Sequence, residues 1–188
     1  MGAPYIETEV KIRFPEGADA ARALIESRGF REKDARVLEI DQIYDRPDGS
    51  LRSSDQLLRL RRSGDRAIVT YKGPGKRGKH KSREELEFRV DRADMYAGVL
   101  ERLGYVPRFR YEKYRTTFAA DGEPGFITVD ETPVGVFLEL EGPAAWIDST
   151  AAKLGLSDSE YLTQSYASVY AEYRRLHPDA PEDMVFGK

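Results

Sequence analysis

The sequence predicts an α+β fold: a sheet of about eight strands closed into a barrel, with charged faces turned inward and helices packed outside. Three observations lead there. Residues 6–13 alternate strictly, with charges at Glu7, Glu9, Lys11 and Arg13 and uncharged side chains at Ile6, Thr8, Val10 and Ile12. That is the period of a strand with two different faces. A dense charged face backed by an apolar one then recurs in strand after strand along the chain. Finally, Glu7-x-Glu9, Glu85-x-Glu87 and Glu139-x-Glu141 are each followed by a helix that stops at Gly29, Gly104 or Gly155. This weak repeat is too long for a solenoid and reads as a pseudo-symmetric sheet with helical crossovers.

After the first strand, Pro15-Glu16-Gly17 turns the chain into a helix over 18–28, with Ala21, Leu24 and Ile25 on one side and Gly29 as its stop. A second strand is predicted over 37–45, and Arg46-Pro47-Asp48-Gly49 is a turn in which Asp45 and Asp48 are turn formers. Strands follow at 57–61 and 66–72, joined by Ser63-Gly64-Asp65. Residues 73–81 are Gly-rich and basic and read as a mobile loop. A strand over 83–90, a helix over 92–103 and a strand over 111–118 come next. The segments 126–131 and 135–141 pair as a hairpin. A helix over 144–154 carries Trp146, which anchors it to the barrel exterior. Ser157 with Glu160 forms a capping box for a last helix running to about Leu176. Leu162, Tyr166, Val169, Tyr170 and Tyr173 stripe that helix as core residues. One domain over 1–176 is expected, with 177–188 as a loose tail.

Composition narrows the chemistry. The 188 residues are 40% hydrophobic and 34% charged, with a net charge of −3. The charge is above the usual quarter or so but nearly balanced, so no global attraction to nucleic acid or membrane follows. There is no cysteine, and the two histidines, His80 and His177, lie far apart. Disulfides, thiolate metal sites, a Cys nucleophile and a His-based triad are therefore not expected. No apolar run spans a bilayer and no signal peptide opens the chain, so a soluble, cytoplasmic protein is expected.

The charged faces carry Glu pairs and Arg or Lys pairs almost alone. Arg59 and Arg61 sit opposite Leu58 and Leu60. Arg83, Glu85, Glu87 and Arg89 sit opposite Leu86, Phe88 and Val90. Lys113 and Arg115 share a face with Thr117, Asp130 shares one with Thr128, and Glu139 and Glu141 sit opposite Leu138 and Leu140. Like charges at i and i+2 repel, and nothing in folding favours them. Binding does: paired cations match phosphate oxygens and paired carboxylates match a divalent metal. Arg13, Arg89 and Glu112 read as surface or tunnel-mouth charges.

These residues resemble the CYTH domains, or triphosphate tunnel metalloenzymes, a family that includes class IV adenylyl cyclases, thiamine triphosphatases and inorganic tripolyphosphatases. The E-x-E-x-K signature matches Glu7, Glu9 and Lys11. The Arg-x-Arg strand matches Arg59 and Arg61, and Thr70-Tyr71-Lys72-Gly73-Pro74 looks like the lysine strand and loop. Arg83, Glu85 and Glu87 resemble the central acidic strand. Lys113 and Arg115 fit a later basic strand. Asp130 with Phe137 to Gly142 resembles the closing hairpin, and Ser165-Tyr166 fits the last helix. The similarity spans roughly residues 5–170.

The resemblance implies an eight-stranded antiparallel tunnel that holds a linear triphosphate as a small-molecule partner. Lys11, Arg59, Arg61, Lys72, Arg83, Lys113 and Arg115 would grip phosphate oxygens. Glu7, Glu9 and Glu141, then Glu139, Glu87, Glu85 and Asp130, would hold one or two Mg²⁺ or Mn²⁺ ions. Lys72, Glu87 and Asp130 would carry catalysis, and the 73–81 loop could cover one mouth as a lid. A monomer or homodimer is expected. Within the family, some thiamine triphosphatases carry a tryptophan where Leu57 stands and a tyrosine where Ile43 stands. Class IV cyclases often have His-Phe just before the signature, and Met1 to Ile6 contain neither residue. Hydrolysis of inorganic tripolyphosphate or a nucleoside triphosphate ranks first because it needs no base-recognition pocket. Cyclisation of ATP ranks second, and a polyphosphate-binding module without turnover ranks third.

Overall fold

Alternation becomes strand along most of the chain, and the strands close on themselves. The computed structural model describes residues 5–187. Residues 1–4, the first of the domain expected over 1–176, and Lys188, the last of the expected tail, lie outside the described residues. The strands are β1 (Tyr5–Arg13), β2 (Arg31–Asp45), β3 (Leu57–Ser63), β4 (Arg66–Lys72), β5 (Lys76–Arg77), β6 (Lys81–Val90), β7 (Val106–Ala119), β8 (Phe126–Thr132) and β9 (Gly135–Glu141). The order β1-β9-β8-β7-β2-β3-β4-β6 is closed by pairing of β1 with β6, and every pairing is antiparallel. The short β5 hangs on β6 outside this ring. The result is the closed eight-stranded antiparallel barrel that the charge pattern predicts. Among the described residues, closure leaves no long open sheet edge in the ring.

Helices α1 (Ala18–Ser27), α2 (Ser50–Ser53), α3 (Ala93–Arg102), α4 (Ala144–Lys153) and α5 (Tyr166–Leu176) lie around the barrel. The apolar strand faces meet them. Val10, Ile12, Ile127, Leu138 and Leu140 are fully buried against Ile25 of α1 and Ile147 of α4. Each such side chain contributes about 1.5–3 kcal/mol of burial. Leu60 and Val69 pack beneath Ala93 and Leu100 of α3. Trp146 anchors α4: its ring lies edge-on to Phe30, and its Nε1 donates to Glu123 Oε2 at 2.6 Å. A Cβ on Gly125 would fall 2.4 Å from the Trp146 ring, so only glycine lets the indole seat beside the start of β8.

The third apolar cluster is inside the barrel. Inward-facing Tyr111 and Phe137 meet Tyr166, Val169 and Tyr170 of α5, and this assembly stoppers one end of the lumen. Among the described residues no helix is long and apolar enough to cross a membrane.

Four expectations change. β2 begins at Arg31 rather than 37 and β7 at Val106 rather than 111, because register shifts between β2 and β7 break the alternation that marks a strand. The 73–81 segment contains a paired strand, β5. The capping box at Ser157 and Glu160 is real, but it caps one 3-10 turn (Asp158–Glu160), and α5 starts at Tyr166 with Ser165 as its N-cap. The segment after His177 docks on β7: Met184 is fully buried, its carbonyl accepts from Glu112 N at 2.8 Å and its N–H donates to Arg110 O at 3.0 Å. Asp45 is a turn former as expected, accepting the N–H groups of Arg46, Leu51 and Arg52 around α2.

Candidate functional site

The charged strand faces enclose a cavity of about 730 Å³. Period two makes this inevitable once the ring closes: the residues opposite Val10, Leu60 and Leu140 can only point inward. Glu7, Glu9, Lys11, Arg59, Arg61, Lys72, Arg83, Glu85, Glu87, Lys113, Arg115, Glu139 and Glu141 all line it. Of the predicted site residues, Asp130 does not. It is fully buried behind the wall, where it accepts from Lys113 Nζ at 2.7 Å, Arg115 Nε at 2.7 Å, Arg115 Nη2 at 2.6 Å and Tyr166 OH at 2.7 Å.

Within the cavity acid and base are paired along its length. Lys72 Nζ sits 2.5 Å from Glu7 Oε2 and 3.1 Å from Glu85 Oε2. Burial opposes the Lys72 charge, but Glu9 and Glu7 outweigh it and raise its pKa. Lys11 and Arg115 both bond Glu139, whose pKa these cations hold well below the carboxylate range despite full burial. The Lys11 and Lys113 ammonium groups lie 4.2 and 4.9 Å from the centre of the Tyr166 ring. Arg59 donates to Thr70 Oγ1 at 3.0 Å, and that hydroxyl donates to Glu87 at 3.1 Å. Arg83 Nε is 3.7 Å from Glu7 Oε2.

Three charged residues escaped the sequence reading. Glu39 and Asp41 on β2 are buried behind the arginines. Asp41 takes Arg61 Nε at 2.8 Å and lies 3.4 Å from Arg59 Nε, while Glu39 takes Arg61 Nη1. Their signal was present, since Glu39 and Asp41 sit at i and i+2 opposite Leu38 and Ile40. Lys81, in step with Arg83, also lines the cavity, and burial pushes its ammonium down to about 8. The Tyr111 and Tyr166 side chains complete the wall.

The acids crowd where β1, β6 and β9 meet. Glu9 pairs directly opposite Glu141, a repulsive cross-strand pair. Among the described residues no three acidic or imidazole side chains already converge as metal ligands, because Glu7, Glu85 and Glu139 turn to cations. Glu141 instead accepts from the Tyr5 hydroxyl at 3.2 Å. Burial, reinforced by Glu7 and opposed by Lys72, pushes Glu141 up to about 8. This surplus of carboxylate at one wall fits a divalent cation.

A test of that surplus follows from linkage. An acid whose pKa rises on folding holds its proton in the native state after the unfolded chain has lost it. Its contribution to stability therefore falls as pH rises from the ordinary value of 4.5 through about 8. The melting temperature is expected to drop across that window, by the equivalent of roughly 1–3 kcal/mol. Added Mg²⁺ or Mn²⁺ should restore it at the alkaline end. Thermal melts of the wild type against Glu141→Gln check this, because the variant should lose the Glu141 part of the slope.

The CYTH domain family profile matches residues 5–166. A protein of Methanocaldococcus jannaschii, MJ0240, named as a candidate adenylate cyclase, is 30% identical over 138 residues, which is 72% of this chain and 76% of that one. The solved structure of PH1819 from Pyrococcus horikoshii OT3 is similar with a TM-score of 0.72 and 25% identity, over 89% of this chain and 99% of that one. HpAC1 from Hippeastrum, a candidate adenylyl cyclase whose structure is described with a dominant triphosphatase activity, shares the fold at a TM-score of 0.62. It is 17% identical over 89% of this chain and 96% of that one.

Proposed function

This chain belongs to the CYTH domain family, and on that premise we propose that it is a divalent-metal-dependent triphosphatase, hydrolysing inorganic tripolyphosphate or a nucleoside triphosphate inside the barrel. The observation that carries this reading is the cavity wall itself, where lysines and arginines alternate with carboxylates over the length of one enclosed space. A bare anion site has no use for the acids, and a bare metal site has no use for the cations. A metal–triphosphate complex uses both.

Lys11, Lys113 and Arg115 sit toward the stoppered end and would take the oxygens of the phosphate that enters first. Arg59, Arg61, Lys72 and Arg83 would hold the rest of the chain. Bidentate guanidinium contacts fix the orientation of a phosphate as well as its charge. Lys72 would neutralise charge that develops on the transferred phosphoryl group. Glu87, whose carboxylate is about half exposed, is the group we assign to accept a proton. Glu7, Glu9 and Glu141 are the first choice of metal ligands, with Glu139 and Glu85 next. When bound, the ion would supply charge neutralisation on the phosphates and a more acidic water. Asp130 we assign to positioning, since its oxygens are taken by Lys113, Arg115 and Tyr166.

A second reading, cyclisation of ATP to cyclic AMP, draws on the name of the Methanocaldococcus relative. The experiment is direct. Purified protein is incubated with Mg²⁺ or Mn²⁺ and either tripolyphosphate or ATP, and the products are identified. Inorganic phosphate is the expected product. Cyclic AMP with pyrophosphate would establish the cyclase instead, and binding without turnover would reduce the cavity to a polyphosphate-binding module.

A further inference from the structure

The basic 73–81 segment is tied down at both ends. Gly75 N donates to Asp55 Oδ2 at 3.0 Å. At the other end Asp148 of α4 gathers three partners: His80 Nε2 at 2.8 Å, Lys79 Nζ at 3.0 Å and the Tyr161 hydroxyl at 3.2 Å. Lys79 also reaches Asp158 Oδ2 in the 3-10 turn at 3.2 Å. The His80 and Tyr161 rings lie 5.9 Å apart. Tyr161 leads straight into Leu162, which bridges to Lys11, and on to the α5 residues that stopper the lumen. The segment is therefore fastened to the closed end of the cavity.

The residue after this knot is Lys81. Its side chain is 4% exposed, it lines the cavity, and its nearest carboxylate oxygen is Glu9 Oε1 at 3.7 Å, beyond hydrogen-bond reach. Lys11, Lys72 and Lys113 each have a carboxylate within hydrogen-bond distance. Lys81 is thus a buried ammonium, aimed into the cavity, whose donors are unspent. Ladder pairing to Glu9 and to Arg77 sets the register of Lys81 at the start of β6, and a tie on the chain just before it sets how firmly that start is held. His80 and Lys79 on Asp148 supply that tie.

We infer that Lys81 is a further ligand for the phosphate chain and that Asp148, outside the cavity, is its positioning residue. The inference rests on the triphosphate reading. Asp148 never meets the substrate: it holds the backbone at 79–80 so that Lys81 enters the cavity at a fixed depth. Substrate affinity should therefore depend on a carboxylate on an outer helix, while the chemical step should not.

The test measures binding of inorganic tripolyphosphate with Mg²⁺ by calorimetry, alongside KM and kcat. Lys81→Met is expected to weaken binding roughly 10–100-fold, the range for one charged hydrogen-bonding contact. Asp148→Ala should raise Kd and KM by about 3–10-fold with kcat within about twofold. The double variant should bind no worse than Lys81→Met alone, because the two residues act through one contact. Trypsin cleavage after Lys76 or Lys79 should also quicken in Asp148→Ala, a readout independent of substrate, and thermal melts verify that each variant folds. Unchanged affinity in Lys81→Met, or additive losses in the double variant, would overturn the inference while leaving the triphosphatase standing. A wild type that binds no tripolyphosphate would remove both.

Discussion

Glu9→Gln is expected to lower kcat/KM for tripolyphosphate by about 100-fold or more while moving the melting temperature by only about 2 °C. The asymmetry comes from what Glu9 touches. Its ion-pair partner, Lys81 Nζ, is 3.7 Å away, and its strand partner across the ladder is another carboxylate, Glu141. Removing the charge breaks no hydrogen-bonded pair, and the relieved repulsion from Glu141 offsets much of the attraction lost to Lys72 and Lys81, so the net cost to folding is small. If Glu9 holds a divalent ion, the amide is a far poorer ligand, and part of the lost activity should return at high Mg²⁺ or Mn²⁺. Steady-state kinetics across a metal titration measures this. Full activity at every metal concentration would remove Glu9 from the site, and with it the first choice of ligand set.

Asp130→Ala is expected to do the opposite, costing about 3–5 kcal/mol of stability and lowering the melting temperature by roughly 10 °C. Asp130 is fully buried and receives two cations and a phenol. Burial works against its charge, yet Arg115 and Lys113 hold its pKa below the usual carboxylate value. Alanine would leave those donors with a desolvation cost and one acceptor fewer. Asp130→Asn keeps the shape without the charge and should fall between alanine and wild type. Denaturant unfolding provides the numbers. An alanine variant as stable as wild type would show that the carboxylate does not hold the wall together, and would reopen it as a ligand.

The contrast between these two acids shows what the sequence discloses. Alternation says which side chains share a face, and closure then sends that face inward, so Glu7, Arg59 and Glu141 could be read off in advance. It does not say how deep each lies. Thr128 and Asp130 follow the same parity as Phe126, yet Asp130 ends up behind Lys113 and Arg115 because the cations close over it. Glu39 and Asp41 obey the same rule, but register shifts on either side of them, at 34–37 and 43–44, interrupt the alternation of β2 that would announce it. Local signals are sound but short in reach. The Ser157 and Glu160 box stabilises any helical turn, and here that turn is a single one. The docking of Met184 leaves no periodic trace, because one buried residue in a polar segment has no neighbours in register to announce it.

The stopper formed by Tyr166, Phe137 and Tyr111 has a consequence for traffic. The opposite rim is edged by Tyr5 and Phe88, each more than half exposed, so among the described residues this is the end of the barrel that α5 leaves open. If the chain is the triphosphatase proposed above, a polymer longer than the cavity would be offered by its terminus and shortened from that tip. Of the two fragments left by such a cut, the inner one would leave after the outer one. The order of product exit would then be set by which end of the cylinder α5 blocks.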